Sequence, residues 1–224
     1  MPGFLETFLN PEVFVRVLPM LLKGVTNTVM LAVSTIVGGS IVGVALCLAR
    51  LYGPRWLRIL AILYVDIFRS LPILVVLILI YYALPFLGLR LNAFLAATIA
   101  LGLVFSSFTC EVLRAAIQSI HSGQFEASLA LGMPFWVTIY KIILPQAFRI
   151  AIPPLTSNAV AIAKDTSLAS VVAMPDLLKQ ATDAQALTAN PTPLIAAALM
   201  YLIVLWPLVR LVSFLEWRYR SAGR

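Results

Sequence analysis

Apolar residues run almost unbroken through five stretches of the chain, at 21–48, 71–87, 91–113, 150–173 and 194–215, with Arg, Lys, Pro and Gly collected between them. A helix rising 1.5 Å per residue needs about 20 residues to cross roughly 30 Å of hydrocarbon. Each stretch therefore reads as a membrane-spanning helix, the second beginning as early as Tyr64. The pattern predicts an all-α integral membrane bundle forming one domain over 1–224. One segment, 115–149, departs from it by alternating polar with apolar residues and by carrying Gly132, Pro134, Lys141 and Pro145 between two greasy stretches.

Composition supports this reading: 62% of the 224 residues are hydrophobic and only 11% charged, against about 25% charged in soluble domains. The formal charge of +7 is scattered among apolar runs and forms no basic face, so nucleic acid is not an expected partner. Those cations report topology instead, because short cytoplasmic loops are enriched in Lys and Arg. Arg50, Arg55, Arg58, Arg114, Lys141, Arg149, Arg218, Arg220 and Arg224 fall on one side; Arg16, Lys23, Arg90 and Lys179 fall on the other. That asymmetry predicts an N-terminus outside and a C-terminus inside. The opening residues lack the pattern of a cleaved secretory signal, so the first span is expected to direct insertion and be retained. Cys47 and Cys110 are read as buried, unpaired thiols.

On this topology 115–149 faces the cytoplasm and reads as two short helices. Ser122 or Gly123 caps the first, Glu126 lies in its first turn beside the positive end of the helix dipole, and Gly132 with Pro134 stops it. The second runs to Pro145 and turns back into the fourth span. Small residues Ala127, Ser128, Ala130 and Gly132 suit a docking surface, whereas Phe135, Trp136 and Tyr140 suit a hairpin resting on lipid. Gly39 and Gly43 form a G-x-x-x-G that permits close helix packing, although glycine is also common in membrane helices generally.

Residues 126–145 resemble the EAA motif of permease subunits of ATP-binding cassette importers. Glu126, Ala127, Ser128 in place of a second alanine, Gly132, Ile142, Leu144 and Pro145 occupy the motif positions. EVLRAAIQSIHSGQFEA before the motif, YVDIFRSLPILV at 64–75 and KDTSL at 164–168 are similar to the polar amino acid uptake branch. The resemblance implies a permease of the bacterial inner membrane, importing polar amino acids. It further implies an identical or homologous second permease, two ATPase subunits gripping the EAA helix, and an extracytoplasmic solute-binding protein. The chain has no GxxxxGK[ST] loop, so no bound cofactor and no enzyme activity are expected of it; ATP belongs to the partner. His121 has no neighbouring donors at metal-ligand spacing.

Ionisable groups at membrane depth are costly and usually face protein or water. Asn158, Lys164, Asp165, Thr166 and Ser167 are the candidate substrate path, Asp165 facing an ammonium and Lys164 or a hydroxyl facing a carboxylate. The same residues could instead pair with neighbouring helices, for instance with Asp66 or Arg69. Arg69 is read either as a lipid anchor or as a gate residue pairing with Asp66 or Glu111, and Glu111 and Arg114 as a weak surface pair. Residues 176–193 are an outer loop, either solvated or docking a binding protein. An ion-gradient-driven secondary transporter or channel, resting on Asp165 and Asp66, is the alternative function.

Overall fold

In the computed structural model, residue 3 and residues 7–220 are described, and every regular element among them is helical. Arg224, the side chain of Arg220 and most of the opening residues used in the signal reading lie outside the described residues. Among the described residues four helices are long and apolar enough to cross a membrane, and a bent pair makes a fifth crossing when its two helices are taken as one span.

Helix α1 (Pro11–Tyr52) overruns the expected 21–48 at both ends. Asn10 starts it, accepting from the N–H groups of Glu12 and Val13, with Pro11 in the first turn. At about 63 Å it is twice the hydrocarbon thickness. The second span breaks at Leu71–Pro72, where proline cannot continue the helical ladder. There α2 (Arg55–Ser70) and α3 (Ile73–Ile78, continued by a π and then a 3₁₀ turn through Leu87) meet at 106°. Helix α4 (Ala93–Gln118) follows its Asn92 cap.

The glycine spacing in α1 serves packing within the chain. A Cβ on Gly43 would lie 2.6 Å from the Thr109 Cβ, and one on Gly39 2.8 Å from Phe105 Cδ1, so the two glycines let α1 lie directly against α4. Around this seam Leu31, Leu77, Ala97, Ala100, Leu101 and Val104 form the principal core. Cys47 and Cys110 are buried and unpaired nearby, as expected.

Between the last two spans, 176–193 is no solvated loop. Its Leu177, Ala181 and Ala184 recur at helical intervals and are buried, making α8 (Leu177–Thr188) a packed helix against α1 and the final helix. Gly24 allows the approach, since its Cβ would sit 2.8 Å from the Leu177 Cα. Asp176 caps α8 through the Lys179 N–H at 2.8 Å, yet it is wholly buried and its Oδ2 has no partner. Burial pushes this carboxyl up to about 6, against the opposing pull of backbone N–H groups. A folded pKa above the ordinary 3.9 means the native state binds the extra proton, so stability falls as pH rises from about 4 to 6. Asp176→Asn keeps the capping oxygen and removes the buried charge. Thermal scans should find it more stable than wild type by roughly 2–3 kcal/mol at pH 8, the gain vanishing below about pH 4.

Candidate functional site

The interrupted segment forms α5 (Ser122–Ala130), a glycine turn, and α6 (Phe135–Thr138). Neither expected cap starts α5; His121 does, its Nδ1 accepting from Gly123 N–H at 3.0 Å, a role foreshadowed only by its place before a helical pattern. This puts Glu126 one or two residues deeper than expected, outside the first turn and exposed. Gly132 ends the helix as expected: at φ +69° it lets Met133 N–H reach Ser128 C=O at 3.0 Å and Gly132 N–H reach Leu129 C=O at 2.9 Å. These bonds satisfy carbonyls that a helix end otherwise leaves open.

Of the small residues expected at the surface, Ala127, Ala130 and Gly132 are exposed and Ser128 is not. Ser128 is 1% exposed and turns inward, its hydroxyl donating to Gln124 C=O at 2.6 Å. Glu126, Ala127 and Gly132 are exposed among Leu129, Leu131, Trp136 and Tyr140, so the face is bulky and apolar around one carboxylate. Tyr52, at the end of α1, stacks edge-on against Phe135 at 6.1 Å and Trp136 at 6.0 Å, tying the hairpin to the bundle.

The second short helix does not turn at Pro145. It passes through a π segment, Ile139–Ile143, into α7 (Leu144–Asp165) and a 3₁₀ end through Val172, one continuous helix over Phe135–Val172. Pro145 has no N–H for Lys141, and the ladder accommodates this by widening one turn so that Leu144 N–H reaches Ile139 C=O. Within that stretch Ile143 is buried, Ile142 and Leu144 are half-buried, and Pro145 is exposed. The motif thus contains an exposed half, 126–132, and a half continuous with a span.

Asn158 and Asp165 line a cavity of about 270 Å³ with Ile73, Phe105, Phe108 and Ile162 at mid-bundle. The remaining path candidates do not join them. Lys164 is exposed; Thr166 is buried with its hydroxyl on Ala163 C=O at 2.8 Å; Ser167 donates to Lys164 C=O at 2.8 Å. Both hydroxyls thereby donate their protons to their own helix. No ion pair to Lys164 or Asp165 forms among the described residues, so the expected bridges to Asp66 or Arg69 are absent there.

Arg69 reaches Glu111, 3.8 Å away, and lies over the Phe108 ring, 5.6 Å from its centroid, while the Asp66 side chain is exposed. Glu111 is more than one end of a surface pair. Arg50 from α1 meets it at 2.9 Å, and Arg114 grips it through both Nε, at 3.1 Å, and Nη2. Three guanidiniums on one half-buried carboxylate join the ends of α1, α2 and α4. Arg50 was the member missed; the register imposed by Gly39 and Gly43 is what carries it to the level of Glu111.

Residues 36–221 match the family described as binding-protein-dependent transport system inner membrane component. The glutamine transport system permease protein GlnP of Escherichia coli is 34% identical over 91% of this chain and 94% of its own length. The arginine transport system permease protein ArtQ of Bacillus subtilis is 31% identical over the same shares, and the L-cystine transport system permease protein TcyB of that organism 37% over 74% and 70%. A crystal structure of an amino acid ABC transporter with histidines superposes with a TM-score of 0.87 at 29% identity, over 97% of this chain and 99% of that one. The methionine transporter MetNI, at 21% identity and a TM-score of 0.71, shares the fold.

Proposed function

The chain belongs to the family of binding-protein-dependent transport system inner membrane components, and from that premise we propose that 126–145 couples an ATPase to a path through Asn158 and Asp165. It is the multi-pass permease subunit of an amino acid ABC importer of the bacterial inner membrane. Its role is conduction, and ATP hydrolysis lies with a partner ATPase. The ion-gradient alternative is disfavoured by this membership.

The observation that carries the coupling assignment is the exposed apolar rim around Glu126, backed by a glycine turn and a continuous helix into the bundle. A push on α5 travels along Phe135–Val172 to Asp165 without crossing a loop after Pro134. The end carrying Arg50, Arg114 and this hairpin is placed in the cytoplasm, where the ATPase is, and α8 on the opposite face, open to a solute-binding protein. ATP stays on the partner, and a second permease copy completes the pair. Asp165 receives the substrate's ammonium and Asn158 its polar groups; Arg69 on Glu111 closes the basic end.

Vesicles carrying the permease with its ATPase and binding protein provide the test. Uptake should require ATP, persist when ion gradients are collapsed, and fall at least about tenfold in Asp165→Asn, the loss of one charge-assisted contact. Gradient-dependent uptake insensitive to ATP depletion would overturn the reading.

A further inference from the structure

A second cavity, about 730 Å³, opens beside the first toward the basic end, between α7 and the last helix, α9 (Thr192–Arg220). That volume falls within the roughly 300–1,000 Å³ of small-molecule sites. It carries one charge of each sign, Arg149 from α7 and Glu216 from α9, and neither forms an ion pair among the described residues. Tyr219, three residues on from Glu216 and so on the same face of α9, adds a hydroxyl.

The backbone beside this space is also short of donors. Ile150, Pro153 and Pro154 all line it. The carbonyl of Ile150 would bond the N–H three or four residues on, but those positions are Pro153 and Pro154, which have none. The carbonyl of Arg149 loses its donor four residues on, at Pro153, while Ile152 three residues on keeps its N–H. A proline pair inside the helix therefore removes two backbone donors beside residues that line this cavity.

The two cavities are joined along α7. Ile150, Pro154, Asn158, Ala161 and Asp165 follow at intervals of four, four, three and four, one continuous face; the first three line the larger cavity and the last three the smaller. Asn158 belongs to both. At the mouth, Gln146 contacts Gln124 of α5 at 3.4 Å, so the vestibule abuts the hairpin.

We infer that this vestibule is a second binding site for a free α-amino acid zwitterion, with Arg149 and Tyr219 taking the carboxylate, and Glu216, helped by the Ile150 carbonyl whose usual donors are replaced by prolines, taking the ammonium. The inference rests on the permease reading above and adds to it a holding site between the mid-bundle cavity and the basic end. Its pairing of single opposite charges recognises the backbone portion common to amino acids and leaves the side chain unread.

The test uses the transporter assembled with its ATPase in lipid nanodiscs, without binding protein, titrated with a radiolabelled mixture of the common L-amino acids. Asp165→Asn serves as background to remove the mid-bundle site. Saturable binding should remain in that background, and Arg149→Gln or Glu216→Gln should each weaken it by at least about tenfold. Arg149→Lys, which keeps the charge, should stay within about threefold of its background, separating loss of ligand from loss of fold. The double exchange Arg149→Glu with Glu216→Arg should recover most of the binding, because a zwitterion can enter reversed. Absence of residual binding, or indifference to the single substitutions, overturns the inference. ATP-driven uptake by the unmodified complex, measured with binding protein present, tells the two failures apart: uptake without vestibule binding refutes this site alone, and absent uptake refutes the permease reading beneath it.

Discussion

Glu111→Gln is expected to lower the thermal midpoint of the purified protein by roughly 5–10 °C, from a loss of about 2–4 kcal/mol. One carboxylate holds Arg50, Arg69 and Arg114 together, and removing its charge leaves three guanidiniums facing one another. Breaking a fully buried pair costs about 3–5 kcal/mol; here the Arg50 and Arg114 side chains keep 18% and 22% exposure, so water recovers part of it. Arg69 is 41% exposed and 3.8 Å away, and Arg69→Gln should cost no more than about 1 kcal/mol. Thermal scans of the two variants in one detergent check this, and a larger loss for Arg69→Gln than for Glu111→Gln would show that the cluster does not hold these helix ends.

Leu131→Asp should have the reverse signature, leaving stability unchanged while weakening association with the ATPase by at least about 30-fold. Leu131 is 78% exposed beside the glycine turn and supports nothing in the chain's own core. Placed inside an apolar interface, a carboxylate there loses its water without gaining a partner. Gly132→Val separates the two effects from the other direction: at φ +69° a β-branched side chain is strained, so both fold stability and coupling should fall. Midpoint scans together with equilibrium binding of the ATPase distinguish them. Unaltered ATPase binding by Leu131→Asp would move the interface elsewhere.

The candidate spans were legible because bilayer thickness imposes a length that composition cannot disguise. Gly132 was legible for a similar reason, since few residues end a helix at positive φ. Pro145 misled because proline was read as a stop; a π segment upstream absorbed the missing N–H, and that remedy depends on packing around Ile139 and Ile143. Thr166 and Ser167 were misread because a hydroxyl on a membrane helix can satisfy itself on its own backbone as easily as line a path. Their sequence position cannot distinguish the two. Ser128 is the one buried residue of α5, and which face of a short helix meets the rest of the protein is a tertiary fact that the spacing of small residues does not show. The ion cluster required knowing how α1 lies on α4, a tertiary register invisible along the chain.

Cross-linking tests the central claim most directly. In a background with Cys47→Ala and Cys110→Ala, single cysteines are placed at Leu131 beside the glycine turn and at Leu187 on α8, both largely exposed, and a short bifunctional reagent is added to the assembled importer. The account predicts a covalent adduct between position 131 and the ATPase, and none from position 187. An ATPase adduct at 187 with position 131 unreacted would contradict it, placing both the orientation of the bundle and its coupling surface at the wrong end.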